Sequence, residues 1–241
     1  MLISTRLVIL VLICLAGAGF AQTPTSKIFP DIEDLPGWGG CDVCSGPNAQ
    51  GASIVYWLAQ NQTSPSKDGS STQYFVGGST PYGSAMWWKQ LGIYDTARHF
   101  TLEMDYYFKD QTGPQAFEID AAQSLNGKKF FFGTECDVRG TYKNTWLVND
   151  YVNNKWIPTG IPCYGTTAGK WHHLKWEFER TTGGRTHFIA VTVDTVRKVV
   201  DRYFQAKTSS AHEMNVAFQL DGNKYMTDFS VWVDNFSLTA W

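Results

Sequence analysis

The sequence lacks a marked charge of either sign. Its 20 basic and 22 acidic residues leave a formal net charge of −2. A strongly basic surface is what attracts the phosphates of nucleic acids and the head groups of anionic membranes. We therefore expect no nucleic-acid partner and no binding to an anionic membrane surface.

Long apolar runs are missing after residues 1–21. That first segment holds Arg6, an apolar run from Leu7 to Leu15 and small residues leading to Ala21. A positive charge, an apolar run and small residues, in this order, are typical of a secretory signal peptide. The apolar run is shorter than the ~20 residues that a transmembrane helix needs. We expect cleavage after Ala21, no membrane insertion, and release of a bacterial protein into the periplasm or the extracellular space.

Cysteine is sparse, and one of the five lies in the predicted signal peptide. The exported chain keeps Cys41, Cys44, Cys136 and Cys163. An even number in an oxidising compartment predicts disulfides, here with three possible pairings. We favour Cys41–Cys44 and Cys136–Cys163. A redox Cys-x-x-Cys motif would need a βαβ pattern, and a zinc site would need matching spacings in the two halves; the sequence has neither.

Helical periodicity is absent over any span of three turns. Short runs of alternating apolar and polar residues are instead separated by turn signals roughly every 8–12 residues, which is typical of an all-β sandwich or barrel. There is no internal repeat and no linker, so residues 22–241 are predicted to form one domain. Residues 137–167 are predicted to be a long irregular loop, and such loops are usually functional.

The segment Ala116–Cys136 is predicted to form a β-hairpin. Asn126-Gly127 separates two strand-like runs, and Asn-Gly is a strong signal for a type I′ turn. Side chains alternate along a strand, so one face of the first strand is apolar and the other carries Glu118 and Asp120. The hairpin therefore presents an acidic face.

The second strand of this hairpin adds another carboxylate. A register symmetric about the turn would pair Glu118 with Glu135 and place their Cβ atoms about 4.5–5.5 Å apart. Two carboxyl groups at that distance can share a proton or raise one pKa, as acid–base chemistry requires. A slip of one residue would destroy the pairing.

Residues 118–123, EIDAAQ, resemble the E-I-D-x-x-E strand of family 16 glycoside hydrolases. In that family the first Glu is the nucleophile, the Asp assists it and the second Glu is the general acid. The resemblance assigns the first two roles to Glu118 and Asp120, but it places Gln123 in the general-acid position. Gln cannot donate a proton to a leaving group, so hydrolysis would need Glu135 as the acid/base.

Two further motifs resemble jelly-roll proteins. Residues 170–176, KWHHLKW, and the later Val191–Asp194 resemble a strand and hairpin of laminin-G-like domains, with Thr195 in place of a Gly. Residues 232–238, WVDNFSL, are similar to the last strand of many jelly-roll carbohydrate-binding modules. These resemblances imply an antiparallel β-sandwich of the concanavalin A-like jelly-roll type, as in a group of secreted bacterial proteins.

The jelly-roll resemblance also implies a structural calcium site. In several such binding modules a calcium ion lies between the N-terminal strand and the Asp of the last strand. The corresponding acids here are Asp31, Glu33 and Asp234, and Ca²⁺ takes oxygen ligands of this kind. The alternative is that these acids keep a sheet edge soluble. We expect no cofactor for catalysis.

Aromatic residues are abundant, with 10 Trp, 11 Tyr and 15 Phe. In a weakly charged exported protein, such an excess favours sugar binding, because flat rings stack on the apolar faces of pyranoses. We predict a monomeric, secreted, non-catalytic polysaccharide-binding protein that uses the concave sheet. The predicted contacts are stacking by Trp146 and Trp156 and hydrogen bonds from Glu118, Asp120, Gln123, Glu135, Gln219 and Asp221.

Two other functions stay open at this point. The first is an endo-acting glycoside hydrolase, with Glu118 as nucleophile and Glu135 as acid/base. The second is a structural or adhesive protein of the cell envelope that binds no sugar. Release of oligosaccharides distinguishes the first from simple binding, and failure to bind any glycan distinguishes the second.

Overall fold

A computed structural model describes residues 26–44, 53–163 and 167–241, and the predicted signal peptide lies outside this part. The described residues form sixteen strands and one short 3₁₀ helix, Ile32–Asp34. The strands are β1 (Lys27–Phe29), β2 (Gly39–Cys41), β3 (Ile54–Gln62), β4 (Ser71–Gly78), β5 (Ser84–Gly92), β6 (His99–Phe108), β7 (Pro114–Leu125), β8 (Lys128–Asp137), β9 (Thr145–Asp150), β10 (Lys155–Pro162), β11 (Trp171–Arg180), β12 (Arg185–Val193), β13 (Val196–Gln205), β14 (Lys207–Thr208), β15 (Glu213–Gly222) and β16 (Phe229–Ala240).

The strands form two sheets in which every pairing is antiparallel. Sheet A has the order β13-β12-β11-β6-β16-β4-β3, with β1 also paired to β16. Sheet B has the order β10-β9-β8-β7-β15-β5-β2, with β14 also paired to β8. The prediction of an all-β, antiparallel sandwich is confirmed. No helix in the described part of the chain is long and apolar enough to span a membrane.

A single aromatic-rich core lies between the sheets. Phe132 on β8 stacks on Phe178 of β11, with ring centroids 4.9 Å apart. Trp146 on β9 meets Trp176 of β11 edge to face at 5.5 Å. Because side chains alternate along each strand, every strand that sends one set of residues into this core presents the other set to its opposite face.

The predicted hairpin is formed by β7 and β8. Asn126 and Gly127 both have positive φ, 50° and 77°, as a type I′ turn requires. Ten residue pairs run without a register shift from Leu125–Lys128 at the turn to Ala116–Asp137 at the far end. The turn chemistry and the length of the ladder together fix the register of this hairpin.

The prediction of an irregular loop over residues 137–167 is wrong, because the segment contains β9 and β10. Its prolines and many Gly and Asn residues suggested a loop. However, β10 is the last strand at one end of sheet B, and its register shifts between Pro158 and Pro162. Proline is tolerated at such an edge, because the missing N–H is not needed by a further strand.

Two disulfides occur in the described residues, and both are the pairings favoured from the sequence. Cys136 on β8 is joined to Cys163, which directly follows β10, with Cα atoms 5.8 Å apart. Cys41 is joined to Cys44, with Cα atoms 5.9 Å apart. The first bridge ties the hairpin to the segment that was expected to be a loop.

Candidate functional site: an acidic cleft on sheet B

The centre of the site is a row of side chains that crosses four strands of sheet B. Glu118 on β7 lies directly opposite Glu135 on β8, as the symmetric register predicts. On its other side Glu118 faces Gln219 of β15, which in turn faces Met86 of β5. The row lies on the face of the sheet that points away from the core.

This row lies in a cleft of about 680 Å³. The lining includes four carboxylic acids, four amides and four aromatic rings: Glu118, Asp120, Glu135, Asp221, Gln115, Asn149, Asn154, Gln219, Tyr82, Phe131, Tyr151 and Trp156. The structure therefore brings six of the eight residues predicted to contact a ligand into one cavity.

A small hydrogen-bond network orders the acids. The Gln219 amide donates to Glu118 Oε1 and, at 3.1 Å, to Asp221 Oδ1. The backbone N–H of Thr134 donates to Asp120 Oδ1 at 3.1 Å. Within the described part of the chain, no group donates a hydrogen bond to the Glu135 carboxyl. Glu135 is thus the member of the cluster that is most available to a ligand.

Burial makes ionisation of the four acids unfavourable. Desolvation, followed by the charges of Asp221 and other nearby acids, raises the pKa of Glu118 well above its usual range and that of Glu135 to about 9. Desolvation likewise raises the pKa values of Asp120 and Asp221 to about 7. At neutral pH Glu135 is therefore protonated and able to donate hydrogen bonds, and burial favours the neutral form of Glu118 in the same way.

Aromatic rings form one wall of the cleft. Phe131 on β8 packs against Tyr151 with ring centroids 4.6 Å apart, and the Lys129 ammonium lies 5.5 Å and 5.4 Å from the two centroids. Trp156 on β10 is partly exposed and lies opposite Asn149 on β9. These rings offer a flat apolar surface beside the acids.

Asn149 contributes a buried acceptor to the same wall. Only 7% of the residue is exposed, and its Oδ1 receives no hydrogen bond from the described residues. It lies on the cleft side of β9, close to Gly133 of β8. A Cβ at Gly133 would come within 2.9 Å of Asn149, so glycine is needed for the close approach.

Trp146, predicted to stack on a sugar, is not in the cleft. It is 0% exposed and packs against Phe117 and Trp176 between the sheets. It pairs with Cys136, whose side chain also points into the core. The prediction is wrong because it assumed a loop, where tryptophans are often exposed, whereas β9 turns this side chain inward.

Gln123, predicted to contact the ligand, is also not in the cleft. The β7–β8 ladder has no bulge between residues 118 and 123, and five positions along a regular strand reverse the face. Its amide donates to the carbonyls of Tyr94 and Ala97, and its Oε1 accepts a 2.8 Å hydrogen bond from Arg180 Nε. Gln123 thus anchors a neighbouring turn.

The three acids expected to hold calcium are only partly brought together. Glu33 is buried, and its Oε2 accepts a hydrogen bond from the N–H of Phe236 at 3.0 Å. Desolvation, with smaller effects from Asp34 and Asp234, raises the pKa of Glu33 to about 8. Asp31 is exposed at the start of the 3₁₀ helix. The cluster is therefore centred on Glu33.

Two carboxylate oxygens near Glu33 are buried without a hydrogen-bond donor in the described residues. They are Asp34 Oδ1 and Asp234 Oδ1. Such oxygens suit a hard cation, although no group of three or more His, Cys, Asp or Glu side chains in the described ranges has a metal-binding arrangement. A calcium ion here would need backbone carbonyls or water among its ligands.

Several cleft residues were not predicted from the sequence, among them Lys129, Phe131, Asn149 and Tyr151. The register that pairs Glu118 with Glu135 already places Phe131 and Lys129 on the same face as Glu135, since all three positions are odd-numbered on β8. Extending the alternation along the second strand would have identified them. Tyr151 follows β9, a strand that was not predicted, so no such signal was available.

No protein-family model and no curated protein sequence matches the chain. Similar solved structures include cellulose induced protein Cip1, at 11% identity and a TM-score of 0.47, covering 83% of this chain and 90% of that one. Lectin I-B4 from Griffonia simplicifolia has 11% identity and a TM-score of 0.44, covering 78% and 92%.

A carbohydrate-binding module of the β-sandwich superfamily is similar at 10% identity and a TM-score of 0.44. The match covers 86% of this chain but only 58% of that structure. At such identities the likeness concerns the fold. The two antiparallel sheets around one core form the antiparallel β-sandwich that was predicted.

Proposed function

We propose that the cleft on sheet B binds a polysaccharide without cleaving it. The observation that supports this most directly is the combination of polar side chains from adjacent strands with an aromatic wall in one cavity. Sugars need both features: hydrogen-bonding groups for their hydroxyls and flat rings for their C–H faces. The hydrogen-bonding groups are those of Glu118, Glu135 and Asp221, and the flat rings are those of Tyr151 and Trp156.

The protonation of the acids favours binding over hydrolysis. A retaining glycosidase needs one ionised carboxylate as nucleophile and one protonated carboxyl as acid, so the environments must push the two pKa values apart. Here burial raises the pKa values of Glu118 and Glu135 together. Carboxyl groups whose burial favours the neutral form can hold sugar hydroxyls but are poor nucleophiles.

A second candidate function is endo-acting hydrolysis, with Glu118 as nucleophile and Glu135 as acid/base. The observation in its favour is the direct cross-strand pairing of these residues. Opposed residues have Cβ atoms about 4.5–5.5 Å apart, close to the ~5–5.5 Å between carboxyl groups that a retaining mechanism uses. A ligand that lowered the pKa of Glu118 alone would make this chemistry possible.

The test separates these functions with one panel of polysaccharides. The purified protein is incubated with each glycan, and retention on insoluble glycans and formation of new reducing ends are measured. Retention without products supports the proposal. Products that disappear in both Glu118→Gln and Glu135→Gln overturn it in favour of hydrolysis, and absence of any retention favours a structural or adhesive envelope protein.

The rest of the proposal concerns the exported chain. It acts outside the cytoplasm as one domain, residues 22–241, after removal of residues 1–21. Two disulfides agree with an oxidising compartment. A structural calcium ion held near Glu33, Asp34 and Asp234 would neutralise the buried carboxylates that link the 3₁₀ helix to β16.

A further inference from the structure

The cleft offers many more hydrogen-bond acceptors than cations. Four carboxyl groups line it, on β7, β8 and β15. Lys129 is the one Lys or Arg in the lining as far as the structure describes the chain, and its ammonium lies against the Phe131 and Tyr151 rings. A ligand on the acidic floor therefore meets a surface that is suited to positive charge.

Asn149 points independently to a ligand that donates hydrogen bonds. Its Oδ1 is buried and has no donor among the described residues. A buried acceptor left without a donor is costly, and few such groups persist in proteins without a reason. Asn149 lies opposite Trp156 and lines the same cleft as the acids, where a bound donor would satisfy it.

We infer that the polysaccharide bound here carries protonated amino groups, as in a hexosamine polymer whose amines are free rather than acetylated. This inference rests on the proposed function and names the chemical class of its ligand. An ammonium group can donate hydrogen bonds to the carboxyl groups of Glu118, Glu135 and Asp221. It also places a positive charge beside them. The sugar ring that carries the ammonium group stacks on Trp156 or Tyr151.

The raised pKa values of the acids agree with this assignment. Burial and nearby acids disfavour the charged forms of Glu118 and Glu135 and so raise their pKa values. A bound ammonium group is a cation, and charge-assisted hydrogen bonds to carboxylates are stronger than neutral ones. A polyuronate would instead add further negative charge and be repelled.

A metal ion fits the cleft less well than an organic cation. Metal sites need several ligand atoms converging on one point, and no group of three or more His, Cys, Asp or Glu side chains in the described ranges does so. A cavity of about 680 Å³ with an aromatic wall is also far larger than an ion requires. A ring that bears a cation uses the acids and the aromatic side chains together, and the aromatic faces themselves attract cations.

The test compares oligosaccharides of equal length by isothermal titration calorimetry, at a pH below the pKa of the sugar amines. The ligands are a fully deacetylated chito-oligosaccharide, its N-acetylated counterpart, a neutral β-1,4-glucan oligosaccharide and an oligogalacturonate. We expect the deacetylated ligand to bind at least roughly tenfold more tightly than its acetylated counterpart, and the oligogalacturonate to bind most weakly.

Variants locate the preference in the cleft. Glu135→Gln and Asp221→Asn should each bring the ratio of the two affinities closer to one, because each removes a carboxylate but keeps the side-chain shape. Asp201→Asn, which changes an exposed acid on β13 of sheet A, should leave the ratio unchanged. The ratio is measured within one protein sample, so partial unfolding of a variant does not imitate the effect.

Each other outcome is decisive. Equal affinity for acetylated and deacetylated ligands, or a ratio that no cleft variant changes, overturns the inference but leaves glycan binding standing. Failure of every sugar to bind overturns the proposed function itself. Calcium chloride alone is titrated as well, and binding of Ca²⁺ that Glu135→Gln abolishes would assign the cleft to a metal ion instead.

Discussion

Trp156 and Trp146 lie on neighbouring strands but face opposite sides of sheet B. Trp156 is partly exposed in the cleft, whereas Trp146 is buried against Phe117 and Trp176. The same residue type therefore has a binding role in one position and a packing role in the other. A substitution at each position should separate the two roles.

We predict that Trp156→Ala weakens glycan binding by roughly tenfold, a loss of about 1.4 kcal/mol, with little change in stability. Trp146→Ala should instead lower the free energy of unfolding by about 3–5 kcal/mol, as for other buried large side chains. Affinity electrophoresis and urea denaturation measure the two effects. Trp57→Ala, at a half-exposed tryptophan on sheet A, is the matched control and should leave binding unchanged.

The Glu135 carboxyl predicts a pH dependence of stability. Its pKa is raised from 4.5 to about 9 in the folded chain, so the folded state holds a proton that the unfolded state loses above about pH 4.5. The contribution of Glu135 to stability is therefore complete below that pH and declines as the pH rises towards 9. Asp120 and Asp221 act in the same direction between about pH 4 and pH 7.

We predict that Glu135→Gln raises the free energy of unfolding by about 2 kcal/mol at pH 8 and has little effect at pH 4. The physical reason is that Gln needs no proton to stay neutral. Thermal unfolding at the two pH values measures the difference. Glu177→Gln is the control, because the pKa of Glu177 is lowered by Arg197 and the exposed pair should give no gain at pH 8. Equal effects of Glu135→Gln at both pH values would contradict the prediction.

At the scale of the elements, the β7–β8 hairpin sets the geometry of the site. Its turn fixes which residues of the two strands are opposed, and the ladder carries that register to Glu118 and Glu135. Adjacent β15 extends the row with Gln219. The position of the acids thus depends on two turn residues that lie far from them along the strands.

We predict that Gly127→Ala destabilises the protein by roughly 1 kcal/mol, because its φ of 77° is unfavourable for any residue with a Cβ atom. No neighbouring atom lies within 4 Å of the added Cβ, so the cost reflects the backbone alone. Gly183→Ala, in the exposed turn between β11 and β12, is the matched control and should change stability little. Urea denaturation of both variants measures the difference, and equal stabilities would contradict the role of the turn.

At the scale of the whole molecule, the buried acids near Glu33 connect distant parts of the chain. Glu33 accepts a hydrogen bond from Phe236 on β16, and Asp234 Oδ2 accepts hydrogen bonds from Ser66 Oγ and the N–H of Lys67. The first and last parts of the domain therefore meet at carboxylates. A cation bound there would stabilise the complete fold rather than one strand.

We predict that calcium chloride raises the thermal unfolding midpoint and that EDTA lowers it, because a ligand bound only by the folded state stabilises that state. Asp234→Asn should reduce the response. Magnesium chloride at equal concentration controls for ionic strength and should have a smaller effect, since Mg²⁺ demands a tighter octahedral arrangement. Unchanged midpoints in both calcium chloride and EDTA would remove the proposed calcium site.

The sequence by itself determined the all-β class, the hairpin register, the pairing of Glu118 with Glu135 and the favoured disulfides. Each depends on short-range rules: a period of two along a strand, the positive φ values of an Asn-Gly turn, and the even number of exported cysteines. The tertiary structure alone decided which side of each strand is covered. It placed Trp146 and Gln123 on the core side of sheet B and raised the pKa values of the cleft acids. Burial depends on where the second sheet packs and which strand lies alongside, and neither is determined by neighbouring residues in the chain.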